Sequence, residues 1–431
     1  MPNSKLPMVD LKAAARSLKP SIDLNFSNFH DRLFLILFVV DVVLRFVWLD
    51  KPKGSLIFDE WYYVNVARVI LGLPQSLGAN NKPPYVDAVT GLDPNHEHPP
   101  LAKLLIAFSL YVFGDNGYGW RIPSVIFGSA AVLIFYLLLK KMSNYRMVPL
   151  IATFLFSFDN LTFVHSRIAT LDIFTLTFML LGFYWYFTRH NHLSAMAMAF
   201  STLTKITGAA GLVIIVLVHA ARLLQDHAER KRWNELFSWF EKYAVVYIIT
   251  FVAVLGLLDR LWVGYSNPLT HIQFILSYSA ALTSSCPNGI ISCPWQWLIN
   301  QVQIPYLVVN VTSGNAKYDS IAFLGAMNPA LLYLTIPAIL YSAYDYFTEK
   351  RQFSLFMLVW FAVAYLPYYP AAIFGHRVTY LFYFLTATPA VCAAVAEMIM
   401  DQNPPKLVMI FYLAVVVLSF YMMFPFKVIP T

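Results

Sequence analysis

An all-α bundle of membrane-spanning helices is the fold class this sequence predicts, and three observations predict it. Of its 431 residues, 59% are hydrophobic and only 12% charged, about half the ~25% charge of a soluble domain. Even a large soluble core needs a charged shell, so the deficit points to lipid. Apolar runs recur from residue 33 to residue 425, and a spanning helix needs roughly 17–25 such residues. Lysines and arginines gather between alternate runs, as they do in loops retained on the cytoplasmic side.

The first 32 residues are polar and mildly basic. A polar leader of that length does not resemble a cleaved signal peptide, so 1–32 reads as a cytoplasmic segment and 33–49 as the first span. Further spans are expected at 121–139, 147–164, 170–187, 208–224, 243–262, 329–347, 354–373, 378–400 and 407–425. Segment 193–206 is short but falls between two good spans, which gives about eleven crossings. Segment 100–113 is apolar, short and preceded by a Pro-Pro pair, and reads as an interfacial helix, like 59–72.

Charge decides that choice. If 100–113 lies on the surface, Lys140, Lys141, Arg146, Arg189, Arg222, Arg230, Lys231, Arg232, Lys242, Lys350, Arg351 and Lys406 all fall inside, with Lys5, Lys12, Arg16, Lys19 and Arg32 of the leader. If it crossed, every later loop would invert. The reading is therefore a multi-pass protein of the cell membrane with its N-terminus cytoplasmic and its C-terminus external. It divides into a membrane module 33–262 with external loop 50–120, an external loop 263–328, and a four-helix membrane region 329–431.

The net charge of +7 sits beside apolar segments and carries no nucleic-acid footprint. Three cysteines are too few for a disulfide scaffold; Cys286 and Cys293 share an external loop and could pair in an oxidising compartment, whereas Cys392 lies in an apolar run.

Ionisable residues are scarce, and near lipid they are functional candidates by default. Asp59 and Glu60 follow the first span in a Phe-Asp-Glu-Trp-Tyr-Tyr string. Burial at the water–lipid boundary could raise one of their pKa values enough for base catalysis; the same pair also suits a capped helix start. His96, Glu97 and His98 are consecutive, and consecutive side chains seldom converge on one metal ion. A rigid Pro-Pro turn accounts for them as well, and Lys103, one turn on, could reach a lipid phosphate or snorkel. Arg121, Arg167, Asp172, Lys205 and Arg377 all fall on the outer side. Any one could be an interfacial anchor; several cations with two or three carboxylates on one face suit a reaction that expels a phosphate.

These strings resemble the protein O-mannosyltransferase family, membrane enzymes of the GT-C fold that use a polyprenyl-phosphate sugar. The resemblance runs from FDEWYY (58–63) through HPPLAK (98–103), RIPS (121–124), HSRIATLDIF (165–174) and TKITG (204–208). It continues through HIQFILSYSAAL (271–282) and PWQWL (294–298) to HRVTYLFYFL (376–385). It implies a GT-C fold with two juxtamembrane helices in the first external loop, and makes 33–262 the catalytic module. By it, Asp59 looks like the general base, Glu60 its neighbour at the acceptor, and Arg121 and Asp172 match positions around the donor. His98, Lys103, Arg167, Lys205 and Arg377 complete the expected donor-binding set. The chain departs from bacterial relatives at Tyr278-Ser279 and Cys286-Pro287-Asn288, where they read Tyr-His and then His-Pro-Tyr. It lacks the MIR domain of fungal relatives, as a compact archaeal or bacterial form would.

The reaction this implies transfers a hexose, mannose by the resemblance, from a dolichyl- or polyprenyl-phosphate to Ser or Thr hydroxyls of secreted or membrane proteins. The resemblance implies inversion. Asp59 would take the hydroxyl proton, and cations would stabilise charge growing on the departing phosphate, Arg121 first, then Lys205 and Arg377. The donor is already a phosphodiester, whose lipid phosphate is a good leaving group, so no metal or other cofactor is chemically required. Two other classes compete: a GT-C enzyme with a lipid or glycan acceptor, and a transporter. The Trp-Trp-Asp string of oligosaccharyltransferases is absent. A transporter calls for charges at mid-membrane; Asp41 and Arg45, one turn apart, are the pair that fits, and they can satisfy each other.

Overall fold

The computed structural model describes residues 24–25, 27–78, 80–225, 229–313 and 316–424. Most of the expected cytoplasmic leader, with Lys5, Lys12, Arg16 and Lys19, and the expected external C-terminus, Thr431, lie outside the described residues.

Helix α1 (Phe29–Phe46) begins at Asn28, whose side chain accepts from the His30 N–H. Inside it Arg45 Nε and Nη2 donate to the two Asp41 oxygens, both at 2.8 Å, with both residues buried. The Asp41 carboxylate is thereby paired at both oxygens, while Arg45 Nη1 is buried without a hydrogen-bond partner among the described residues. The next helices, α2 (Glu60–Leu71) and α3 (Leu101–Phe113), stand where two interfacial helices were expected. One side of α3 buries Ala102, Ile106 and Leu110, while Phe108, Tyr111, Val112 and Phe113 are exposed. An outward apolar face of this kind suits a helix lying in the headgroup boundary.

Helix α4 (Gly117–Met142) is followed not by one helix but by two, α5 (Val148–Ser157) and α6 (Asn160–His165). The expected 147–164 span breaks at Asp159. Its buried carboxylate accepts from Thr162 N–H (2.9 Å), Thr162 hydroxyl (2.9 Å) and Asn328 N–H (2.9 Å). Capping a new helix satisfies a charge that lipid would not. Then come α7 (Asp172–Phe187), α8 (Asn191–Thr204), α9 (Ala209–Gln225) and α10 (Glu229–Leu258), which widens into one π turn at Asp259–Val263. Helix α7 packs against both α4 and α8, and α8 against α10. At the α7–α8 contact, a Cβ on Gly182 would lie 2.5 Å from the Met198 methyl, so glycine lets that side chain pack close to the α7 backbone.

Segment 263–328 holds α11 (Pro268–Ala281), the short α12 (Pro294–Trp297) and an antiparallel hairpin, β1 (Ile304–Ser313) with β2 (Ala316–Gly325), in register Val308↔Ile321. The hairpin corrects the all-α expectation for this loop. The Val- and Thr-rich stretch 308–312 favours extended backbone. Cys286 and Cys293 are disulfide-bonded, with Cα atoms 5.4 Å apart; Cys392 is buried and free.

The chain closes with α13 (Pro329–Glu349), α14 (Gln352–Tyr365), α15 (Tyr368–Ile373), α16 (Thr388–Gln402) and α17 (Lys406–Met423). The expected 354–373 span divides at Pro367, and 378–400 becomes helical with a 3-10 turn at Leu381–Thr386 before α16. Every one of the eleven expected segments is thus wholly or largely helical. Five helical stretches among the described residues are long and apolar enough to cross a bilayer: Gly117–Met142, Ile206–Leu223, Trp233–Val263, Gln352–Ile373 and Lys406–Met423.

Candidate active site

A cavity of about 320 Å³ opens between segments 50–120 and 263–328 and the adjoining ends of α8 and α9. Loop 93–98 reaches it because Asp93 N–H donates to Trp262 O (2.6 Å) and His271 ties Asp259 (2.7 Å) to His96 O (3.0 Å). Its charged lining is Asp59, Glu97, Lys205 and Arg377, joined by His98 and the rings of Tyr62, Tyr63, Tyr278, Tyr380, Phe382 and Tyr383.

Adjacent carboxylates part company at its wall. Phe58 adopts φ +52°, a left-handed conformation costly for a bulky residue, and its ring stacks on Tyr306 at 4.3 Å. From there Asp59 lines the cavity and makes no side-chain cap to α2. Glu60 turns into the protein and is fully buried. Burial pushes the Asp59 carboxyl up to about 7; Lys205 opposes the rise and Asp172 adds to it.

Glu60 is saturated. It accepts from Ile57 N–H (2.7 Å), Ala169 N–H (2.9 Å), Arg121 Nε (2.8 Å) and Arg121 Nη2 (2.8 Å). Arg121 is equally spent, donating from Nη1 to Leu49 O (2.8 Å) and Lys51 O (2.9 Å) and from Nη2 to Ser55 O (3.2 Å). Five N–H groups have five acceptors, so the sequence expectation of a phosphate contact from Arg121, and of a Glu60 at the acceptor, does not match this arrangement. The pair ties the first loop to α4 and to segment 165–172.

Arg167 is buried against the Phe163 ring and donates to Val47 O, and is not among the cavity-lining residues. Lys103 neither snorkels nor faces lipid. It is fully buried, 2.7 Å from Asp93 Oδ2 and bonded to Asn95 O and to His98 O (2.9 Å). Its charge is used to hold the loop, and burial lowers its pKa against the opposing pull of Asp93.

Lys205 and Arg377 do reach the cavity. Lys205 follows α8, with Nζ 2.7 Å from Asp172 Oδ1 and 5.2 Å from the centres of both Phe382 and Tyr383. Gly208 makes its turn possible: a Cβ there would meet the Ser201 carbonyl oxygen at 2.4 Å. Asp172 stands behind Lys205, 3.6 Å from His165 Nδ1, and His165 Nε2 meets Tyr306 OH at 2.7 Å. Arg377 donates to Ser279 Oγ (2.8 Å) and Leu282 O (3.2 Å).

His96 and His98 point apart. His96 bonds to Asp93 O (2.9 Å), while His98 lines the cavity, its pKa held well below the usual histidine range by burial and by Lys205, Lys103 and Arg377. Glu97, weighed from sequence only as a metal ligand, stands on the cavity wall, as do Tyr278, Tyr380 and Tyr383. No spacing rule singles these out, because they converge from separate elements. A base beside two cations and a ring-lined hollow can activate a hydroxyl and receive an anionic leaving group.

Residues 97–256 match the family model described as dolichyl-phosphate-mannose-protein mannosyltransferase. The polyprenol-phosphate-mannose–protein mannosyltransferase of Corynebacterium glutamicum is 26% identical, over 82% of this chain and 79% of its own. The Saccharomyces cerevisiae protein O-mannosyltransferase Pmt1–Pmt2 complex bound to the sugar donor superposes with a TM-score of 0.69 at 12% identity, over 93% of this chain and 90% of that one. ArnT from Cupriavidus metallidurans bound to undecaprenyl phosphate gives 0.56 at 17% identity, over 86% and 61%. These two structures are similar in fold.

Proposed function

We propose that this chain, a membrane glycosyltransferase of the GT-C fold in the protein O-mannosyltransferase family, moves mannose from a polyprenyl-phosphate carrier to Ser or Thr hydroxyls of proteins at the external face. The observation that carries the reading is the single cavity in which Asp59 stands with Lys205 and Arg377.

Asp59 is the base. Above about pH 7 its carboxylate is ionised and takes the hydroxyl proton as the acceptor oxygen bonds to the anomeric carbon. The bond from that carbon to the phosphate oxygen breaks through an oxocarbenium-like transition state, and the lipid phosphate leaves with the electron pair. Lys205 and Arg377 replace Arg121 as the groups facing the growing charge. Asp172 is a positioning residue that orients Lys205. Glu60 and Arg121 frame the wall from behind, and Lys103 frames the opposite loop.

Purified protein given radiolabelled polyprenyl-phosphate mannose and a Ser/Thr-rich peptide should yield labelled peptide. Label passing to a lipid acceptor, or staying on the carrier, would defeat the reading.

The same scheme places loops carrying Lys141 on the cytoplasmic side and the cavity outside, by the distribution of basic residues. With an impermeant thiol reagent on intact cells, Trp295→Cys should label and Lys141→Cys should label only after permeabilisation. Equal labelling of both from outside would invert the topology.

A further inference from the structure

The cavity wall also carries polar groups that the transfer step does not use. Glu97 Oε2 and His98 Nδ1 are both buried and have no hydrogen-bond partner among the described residues. Leaving such atoms dry and unpaired is costly, so each is a position where a ligand group would gain most. They are consecutive on a turn that cannot relax around them. Two prolines follow, and Lys103 clamps the turn through Asp93, Asn95 O and His98 O.

We propose that Glu97 and His98 are specificity-determining residues that read the hydroxyl groups of the transferred hexose, an inference that rests on the function proposed above. Asp59 and Lys205 bracket the reacting carbon, so the ring's remaining hydroxyls must project sideways from the line between acceptor and phosphate. Glu97, His98, Tyr62 and Tyr278 line the same cavity as Asp59 and Lys205 and offer groups such hydroxyls could meet. A carboxylate accepts from a hydroxyl, and a neutral imidazole can donate or accept, which together suit an alcohol that does both. A cationic peptide side chain suits the site less. His98 stands in the positive field of Lys205, Lys103 and Arg377, which holds it neutral and would oppose a further cation. The tyrosine rings supply the apolar surface on which a sugar's C–H face packs.

The test is a cycle between variant and substrate. Unaltered protein and Glu97→Gln are assayed with polyprenyl-phosphate mannose and its 2-, 3-, 4- and 6-deoxy analogues, using one peptide. With unaltered protein, at least one deoxy donor should lose about 10–100-fold in kcat/KM, as for a charge-assisted hydrogen bond. With Glu97→Gln that penalty should shrink to about threefold or less, with peptide KM unmoved. Deoxy penalties that are the same in both proteins, or a loss confined to peptide KM, would overturn the assignment. A second measurement covers the fold: Glu97→Gln should bind sugar-free polyprenyl phosphate as tightly as the unaltered chain. Equal loss of donor and bare phosphate would make Glu97 structural and overturn the proposal too. If unaltered protein transfers no sugar from any of these donors, it is the function proposed above that fails.

Discussion

Asp59→Asn protein should fold, bind polyprenyl-phosphate mannose as the unaltered chain does, and turn it over about 10²–10⁴-fold more slowly. Asparagine keeps the size and much of the hydrogen bonding of aspartate but cannot take a proton at neutral pH. The site adds a second signature. Since burial raises the Asp59 carboxyl to about 7, turnover of the unaltered chain should climb as pH rises toward 7 and level off above it. The Asn variant should lack that limb.

Stability should run the other way. A carboxyl whose pKa is higher folded than unfolded favours the fold while protonated. Its contribution is complete below the ordinary aspartate range and is lost as pH rises through about 7. Asp59→Asn should therefore flatten that decline and melt no lower than the unaltered chain at pH 8. Near-normal turnover by a folded Asp59→Asn protein would remove the base from the mechanism.

Arg121→Ala is the second large effect, and it should appear in the fold. The substitution leaves Glu60 buried with two of its four donors gone and strands the carbonyls of Leu49, Lys51 and Ser55. Breaking a buried pair from one side costs about 3–5 kcal/mol. Detergent-solubilised Arg121→Ala should unfold at clearly lower temperature or fail to accumulate. Glu60→Gln with Arg121→Met should recover part of that loss, because no lone charge is then buried. Arg377→Ala is the contrast, keeping its melting temperature while donor affinity falls. An Arg121→Ala protein that melts normally but cannot hold the donor would return Arg121 to the phosphate, where its position in the sequence first suggested it.

Much of this was legible in the chain itself. Scarce charge and repeated apolar runs determined a membrane bundle, because lipid tolerates little else. The alternation of basic loops predicted that the ionisable residues share one face and that 100–113 does not cross. A carboxylate after the first span was visible as a candidate base. What spacing could not separate is Asp59 from Glu60, since neighbours share every one-dimensional property. Only the left-handed turn at Phe58 sends one to the cavity and the other to Arg121. Nor could it tell an arginine with five partners from one at a cavity wall. Arg121 is consumed by backbone carbonyls of a loop some seventy positions away, whereas Arg377 and Lys205 come from separate elements to line one cavity. Local pattern determines which residues lie at the membrane surface. Which of them keep hydrogen-bonding capacity for a substrate is decided by long-range partners, because each donor and acceptor can be spent once.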